Sequence, residues 1–264
     1  MNFRKILSLV LVLNLLFLTA CRKEPSESTV PPVTTVAVET TIPETTVPET
    51  TAPPVTEPAF PLHSGILEDG SFDEGTLFIG DSLTNGLLYI HMRQNKLIGN
   101  SKYMAIVGAP PQDFFYGPKL CDEISCIQSW EFTNKTMSQG VAAVGKKITA
   151  VYFMMGTNYS SHTNTDTYIQ ITDYLLKHCP NATIYLQTVP YSTSPNVAYE
   201  AMNRYIQEAQ QHYVDEGITR VLLINTMEAI GEHLNPDGVH LNPQGYACWY
   251  QAILDFAAEN SIPQ

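Results

Sequence analysis

The sequence predicts an α/β domain in which helices cover both faces of a central, mainly parallel sheet of five strands. Two patterns lead to this prediction: short apolar runs that end at a glycine, proline or asparagine, and amphipathic stretches between them. Strands that alternate with helices form parallel sheets, because each crossover helix returns the chain to the same edge. We therefore expect a three-layer α/β/α sandwich.

Five runs are short and apolar enough to be buried strands. They span residues 76–80, 102–107, 148–155, 182–188 and 220–225. Five stretches carry apolar residues at helical spacing, namely 83–94, 136–147, 165–179, 197–216 and 243–260. Polar residues that follow the strands should meet at one edge of the sheet, where folds of this class bind ligands.

The amino terminus, residues 1–21, has the features of an export signal. A basic start is followed by an apolar run and by small residues before Cys21. The apolar run is shorter than the roughly 20 residues of a membrane-spanning helix, which is the alternative interpretation. Leu18-Thr19-Ala20-Cys21 resembles a bacterial lipobox, whose cysteine carries lipid, although a stray cysteine after an ordinary signal is the alternative. We expect an extracytoplasmic protein attached to the membrane through lipidated Cys21.

A spacer rich in threonine and proline, residues 22–60, separates this signal from the rest of the chain. It contains three tandem pentapeptides, at 39–43, 44–48 and 49–53. Such short proline-rich repeats cannot bury a core, and about 40 residues of extended chain reach at most roughly 120 Å. We therefore expect a disordered linker, with the folded domain over residues 61–264.

The chain is acidic, with 14 Lys and Arg against 26 Asp and Glu and a net charge of −12. A surface of this sign is repelled by phosphate backbones and by anionic membrane faces. Nucleic acid is therefore excluded as an expected partner, and a small-molecule or glycan substrate fits better.

Ser82 follows the first predicted strand and begins the first predicted helix. Taken alone, a serine at this position is best explained as a helix cap. Asp81 is an equally good cap, however, which leaves Ser82 less needed for that purpose. A serine hydroxyl becomes a nucleophile when an oriented histidine accepts its proton.

A histidine of this kind lies just before the last helix, in Asp237-Gly238-Val239-His240. The three-residue spacing on a glycine-containing loop allows Asp237 to reach the His240 imidazole. The carboxylate would then fix the tautomer of the ring and stabilise its charged form. The alternative for His240 is an ordinary surface histidine.

Acyl transfer also needs hydrogen-bond donors for the developing oxyanion. Gly108, after the second strand, could offer its backbone N–H, and Gly99 is a more distant competitor for this role. Asn158, after the third strand, could offer its side-chain amide. Taken alone, both residues are more simply explained as turn residues.

Together these residues resemble the SGNH hydrolase family, also called GDSL, over residues 74–258. The matching blocks are Gly80-Asp81-Ser82-Leu83, Gly108, Gly156-Thr157-Asn158 and Asp237-Gly238-Val239-His240. The resemblance implies a flavodoxin-like fold and a serine esterase with Ser82, His240 and Asp237 as its triad. It implies an oxyanion hole made by Ser82, Gly108 and Asn158, and no metal or organic cofactor. The family commonly has aspartate after the asparagine of its third block, where this chain has Tyr159.

The sequence says less about the substrate. Tyr116, Tyr159 and Tyr191 fall near the expected active edge, and aromatic rings stack on sugar faces. Together with the long tether, they favour removal of a small acyl group, acetyl most simply, from a carbohydrate. A lipase or lysophospholipase and a non-catalytic surface binding module are the alternatives.

Four cysteines follow Cys21. Cys121 and Cys126 are close enough in the sequence for a local disulfide in an exported protein. Cys179 ends a predicted helix and Cys248 lies on an apolar helix face, so we interpret both as buried thiols. The sequence alone assigns no pairing.

Overall fold

The computed structural model describes residues 60–120, 126–260 and 262, without the side chains of residues 126 and 127. The chain divides into the units Met1–Ala59 and Phe60–Gln264, and every described residue belongs to the second unit. The predicted signal segment with Cys21 and the predicted linker up to residue 59 lie outside the described residues.

The described part of the chain contains one sheet of six strands. They are β1 (Thr76–Gly80), β2 (Lys102–Ile106), β3 (Cys126–Gln128), β4 (Ala150–Met154), β5 (Thr183–Gln187) and β6 (Val221–Ile224), in the spatial order β3-β2-β1-β4-β5-β6. All neighbours pair in parallel except β2 and β3, which are antiparallel. The predicted fold class is therefore confirmed, and β3 is an edge strand that the apolar runs did not predict.

Seven α-helices are described. They are α1 (Ser82–Gly86), α2 (Asp113–Tyr116), α3 (Met137–Val144), α4 (Thr165–His178), α5 (Tyr199–Asp215), α6 (Thr226–Ile230) and α7 (Pro243–Glu259). A π-helical segment, Leu87–Met92, continues α1, and short 3₁₀ turns lie at Trp130–Phe132 and Gly145–Lys147. None of these helices combines the length and the hydropathy that crossing a membrane requires.

Three of the four longer helices in the described residues, α3, α4 and α7, begin at polar caps, whereas α5 begins after Ala198 without a side-chain cap. Thr136 and Gln139 form a reciprocal capping box at α3, and the Asn164 side chain accepts from Thr167 N–H at α4. Asn242 caps α7 and is followed by Pro243, a residue suited to the first turn because it lacks an N–H. These caps satisfy backbone donors that the first turn leaves unpaired, so the helices begin close to where the sequence predicts.

Two apolar layers pack on the sheet, as the alternation of side chains along its strands requires. Leu77 and Ile79 of β1 face the core beneath α3, α4 and α5. Phe78 faces the opposite core beneath α7, where its ring stacks on Tyr152 and Tyr152 stacks on Tyr185, with centroids 5.1 and 4.6 Å apart. The sheet is thus buried on both faces, as expected for parallel strands.

The order of the five parallel strands, β2-β1-β4-β5-β6, reverses direction between β1 and β4. At such a switch point, consecutive crossovers leave the sheet on opposite faces and open a crevice at the carboxyl ends of the strands. The residues after β1 and β4 are Asp81 and Ser82 and, a little further on, Thr157 and Asn158. The fold therefore places these side chains at a crevice.

The described chain begins at the amino ends of the strands, at the end of the sheet opposite the crevice. The Phe60 ring lies under the Arg220 guanidinium, 5.0 Å from centroid to Cζ, just before β6. His63 N–H donates to Thr183 Oγ1, at the amino end of β5, at 2.8 Å. The Arg220 guanidinium also donates to the carbonyls of Leu176, Cys179 and Ala182. This entry segment is therefore fixed at the amino ends of β5 and β6.

The structure corrects one expectation for the cysteines. Cys179 is a free, buried thiol, and burial raises its pKa to about 12. Cys248 is disulfide-bonded, so its interpretation as a thiol was wrong. A buried position on a helix favours a thiol only when no second cysteine approaches it, and sequence alone does not reveal such an approach. The side chains of Cys121 and Cys126 lie outside the described residues.

Candidate active site

Ser82 lies at the turn between β1 and α1. The neighbouring Asp81 is the N-cap, and its Oδ1 accepts from Leu83 N–H at 3.0 Å. The capping function therefore belongs to Asp81, and the Ser82 hydroxyl is used elsewhere. Its Oγ lies 3.1 Å from His240 Nε2, a residue 158 positions away in the sequence.

Asp237 and His240 form the rest of a continuous hydrogen-bonded chain. Asp237 Oδ2 lies 2.8 Å from His240 Nδ1, while Oδ1 accepts from the backbone N–H groups of Val239 and His240, each at 2.9 Å. The Val239 N–H is the main cause that lowers the pKa of Asp237 to about 2, and the His240 side chain adds to it. The carboxylate is thus ionised near neutral pH and holds the proton of His240 on Nδ1, which leaves Nε2 free to accept one from Ser82.

Asn158 offers an unpaired donor beside this chain. Its Nδ2 is buried and has no hydrogen-bond partner among the described residues. A buried amide without a partner is uncommon, because it loses its hydration without compensation. Such a group is explained if it donates to a ligand oxygen that the site receives during turnover.

Gly108 is positioned for the same task. Its φ is +80°, and a Cβ added there would meet open space, so its backbone faces an unfilled region. A Cβ on the competitor Gly99 would instead collide with the Phe72 carbonyl oxygen, which makes Gly99 a packing glycine. Ser82 begins α1, and its N–H is one of the first-turn donors that a helix leaves unpaired. The structure thus brings together Ser82, Gly108 and Asn158 with Asp237 and His240.

Asp81 links the nucleophile turn to the loop that carries Asn158. Besides capping α1, its Oδ2 accepts from Thr157 N–H at 3.3 Å. The side chain is completely buried, and burial raises the pKa of the Asp81 carboxyl to about 6. One carboxyl therefore fixes the spacing between Ser82 and the residue next to Asn158.

The raised pKa of Asp81 predicts a measurable pH dependence of stability. Because the folded pKa lies above the ordinary value of 3.8, the folded chain binds this proton more tightly than the unfolded chain does. The contribution is complete below pH 3.8 and is lost as the pH rises through 6, by about 3 kcal/mol in total. Urea unfolding of the native chain and Asp81→Asn at pH 4 and pH 7 measures it. The native chain should lose most of this amount relative to the variant, since a small part is already lost at pH 4, and a difference that stays constant with pH would contradict the assignment.

A cleft of about 500 Å³ lies beside the hydrogen-bonded chain of Asp237, His240 and Ser82. Its lining residues are Gly108, Pro110, Thr157, Asn158, Tyr159, Ser194, Asn196, Val197 and Val239. They include the two predicted oxyanion donors and the residue before His240, so a ligand in the cleft lies next to the reacting groups. Ser194 and Asn196 come from the loop after β5, where a polar stretch at a strand end was the signal that could have found them.

The three tyrosines predicted to bind substrate occupy different places. Tyr159 lines this cleft and is 43% exposed. Tyr191 packs edge-to-face on Tyr199, at 5.2 Å, and lines another cleft along α5. Tyr116, 89% exposed, borders a groove against α4. The structure therefore brings Tyr159 to the cleft that Gly108 and Asn158 line, and does not bring Tyr116 or Tyr191 to the same cleft.

Within the described ranges, no cluster of three or more His, Cys, Asp or Glu side chains has a geometry that could hold a metal ion.

The chain is similar to several solved structures, with which it shares low sequence identity. It is similar to a lipase/acylhydrolase from Enterococcus faecalis (18% identity, 72% of this chain and 98% of that one, TM-score 0.48). It is also similar to a GDSL-like lipase from Bacteroides thetaiotaomicron (17%, 70% and 88%, 0.46) and to a family 3 carbohydrate esterase from Talaromyces cellulolyticus (20%, 70% and 96%, 0.42). No family model and no curated protein matches. At these identities and scores, the assignment of an activity depends on the residues of the chain itself.

Proposed function

We propose that this chain is a serine esterase that works outside the cytoplasm and removes a small acyl group, acetyl most simply, from a carbohydrate. The observation that carries the proposal is the continuous chain from Asp237 through His240 to the Ser82 hydroxyl, with the unpaired Asn158 amide beside it. A nucleophile, a base, an orienting carboxylate and an oxyanion donor are the parts that acyl transfer requires.

In the first half of the reaction, Ser82 Oγ attacks the ester carbonyl carbon while His240 Nε2 accepts the hydroxyl proton. The carbonyl oxygen becomes an oxyanion, which the N–H groups of Ser82 and Gly108 and the Asn158 amide stabilise. His240 then gives its proton to the leaving alcohol as the bond between the carbonyl carbon and the alcohol oxygen breaks. The acyl group remains on Ser82.

In the second half, water takes the place of the alcohol. His240 accepts a proton from the water, whose oxygen attacks the acyl carbon, and the same three donors stabilise the second oxyanion. Collapse of this intermediate breaks the bond to Ser82 and returns the proton to its oxygen. The acid is released, and the free enzyme is restored.

The surroundings of the site support a small acyl group on a large, neutral alcohol. The side chains of Asp237 and His240 are 51% and 42% exposed, so a bulky substrate can reach them without entering a tunnel. Ser194 and Asn196 in the cleft are neutral hydrogen-bonding groups that suit sugar hydroxyls, and the half-exposed Tyr159 suits a sugar face. The acidic chain disfavours anionic lipid headgroups.

The sequence of the amino terminus supports the proposed location. Lipidated Cys21 would attach the chain to the membrane, and the threonine- and proline-rich segment would hold the domain away from it. Metabolic labelling with a radioactive fatty acid tests this part of the proposal. Label that persists in Cys21→Ser would contradict it.

Substrate preference is the experiment that tests the activity. Acetate release from p-nitrophenyl acetate should be at least as efficient, in kcat/KM, as octanoate release from p-nitrophenyl octanoate, and the chain should also release acetate from an O-acetylated glycan. The reason is that the cleft is open and mixes polar with apolar side chains, so added methylenes gain little there, whereas a fitted apolar pocket rewards each of them strongly. The control is Ser82→Ala with all three substrates. A preference for acyl chains of eight carbons would favour a lipase instead, and inactivity on every ester would favour a binding module.

A further inference from the structure

The turn that carries Asp237 and His240 is held from outside by the loop that follows β5, residues 190–198. Ser192 Oγ donates to the Gly238 carbonyl oxygen at 2.6 Å, and Thr193 N–H donates to the same oxygen at 3.0 Å. Gly238 lies between Asp237 and His240 in the chain. Both hydrogen bonds therefore act on the backbone that sets the position of the carboxylate and the imidazole.

The Ser192 side chain is buried within this contact and is hydrogen-bonded to both loops. It is 7% exposed, and its Oγ also accepts from Ser194 N–H at 3.1 Å. Its hydroxyl therefore has one partner in its own loop and one in the catalytic turn. A buried hydroxyl with both partners in place restricts the movement of each against the other.

The two loops also fit closely at Gly238. This residue has a φ of +70°, and a Cβ there would collide with Thr193 Oγ1. A glycine is needed on both counts, since the left-handed conformation and the close approach each disfavour a side chain. The loop after β5 and the turn at Gly238 therefore pack directly against each other, with no room for a side chain at Gly238.

The catalytic pair needs such support because packing holds it only partly. Asp237 and His240 are about half exposed, so few neighbours restrict their side chains. On one side of the turn, Asn235 N–H donates to the His240 carbonyl oxygen at 2.7 Å. The Ser192 and Thr193 contacts hold Gly238 from the neighbouring loop.

We propose that Ser192 is a positioning residue. It holds the Asp237–His240 turn so that His240 stays within hydrogen-bond distance of the Ser82 hydroxyl. The proposal rests on the proposed function, because the geometry it preserves is that of the triad. It acts through the backbone of Gly238 and requires no contact between Ser192 and the substrate. A small displacement of a base from its nucleophile lowers the rate by up to about 100-fold.

The test compares Ser192→Ala with a matched control, Ser101→Ala. Ser101 is also a 7% exposed serine whose Oγ donates to a backbone carbonyl, that of Ile98, at 2.7 Å, but it lies before β2. Both variants should lower Tm similarly. With p-nitrophenyl acetate, Ser192→Ala should lower kcat by about 10- to 100-fold with KM unchanged, and Ser101→Ala should keep the native kcat. Ser192→Cys, which keeps the size but donates more weakly, should fall between the native chain and Ser192→Ala.

A second readout does not depend on activity. The proton that His240 Nδ1 shares with Asp237 should give a far-downfield NMR signal in the native chain and in Ser101→Ala. It should broaden or shift in Ser192→Ala. If the native chain hydrolyses no ester, the proposed function fails, and this signal still decides the role of Ser192. A native kcat together with an unchanged signal in Ser192→Ala would overturn the inference.

Discussion

Ser82→Ala is expected to abolish ester hydrolysis, lowering kcat by about 10⁴- to 10⁶-fold. The Ser82 hydroxyl is the only group within hydrogen-bond distance of His240 Nε2 among the described residues, so its removal leaves the base without a nucleophile to activate. The fold should remain intact because Asp81, and not Ser82, caps α1. Initial rates with p-nitrophenyl acetate and a thermal melt measure the two effects separately.

Labelling with a fluorophosphonate provides the control for this variant. The native chain should be labelled and Ser82→Ala should not, since the probe reacts with an activated serine. Ser101→Ala, which removes a buried hydroxyl away from the site, should be labelled like the native chain. A Ser82→Ala variant that keeps more than a tenth of the native rate would exclude Ser82 as the nucleophile.

Asn158→Ala is expected to lower kcat by about 10²- to 10³-fold with little change in KM. The side-chain amide has no partner in the resting chain, so it contributes chiefly when an oxyanion forms. For the same reason the variant should unfold at nearly the native temperature, because no hydrogen bond is lost. Steady-state kinetics with p-nitrophenyl acetate and a thermal melt check both expectations.

Asn196→Ala is the matched control for Asn158→Ala. Asn196 lines the same cleft and loses the same chemical group, but it belongs to the loop after β5. We expect it to raise KM for a glycan substrate and to leave kcat nearly unchanged. Equal losses of kcat in the two variants would show that the effect belongs to the cleft as a whole and not to oxyanion stabilisation.

The meeting of these residues could be predicted from the sequence because of how parallel sheets are built. Each strand of such a sheet points the same way, so residues that follow the apolar runs must lie at one edge. Ser82, Gly108 and Asn158 follow β1, β2 and β4, and the structure places them there. Gly108 could be separated from Gly99 only by the structure, because both have a positive φ and only packing distinguishes them.

Features that depend on contacts distant in the sequence could not be predicted in this way. The strand β3 has three residues, Cys126–Gln128, too few for a recognisable alternation, and it is defined by its pairing with β2. The Ser192 bond to Gly238 spans 46 positions and leaves no local pattern. The sequence predicts Tyr116 and Tyr191 as substrate-binding residues because they lie on loops that follow strands. The position of a loop after a strand does not set the direction in which its side chains point.

The position of Phe60 has a consequence for how a long substrate could approach the crevice. Phe60 lies against Arg220 at the amino ends of the strands, and Ser82 lies after their carboxyl ends. Phe60, where the described residues begin, therefore lies at the end of the sheet opposite the crevice. Under the proposed function, a long glycan would cross the mouth of the crevice at a distance from Phe60, and its acyl groups would be reached one after another along its length.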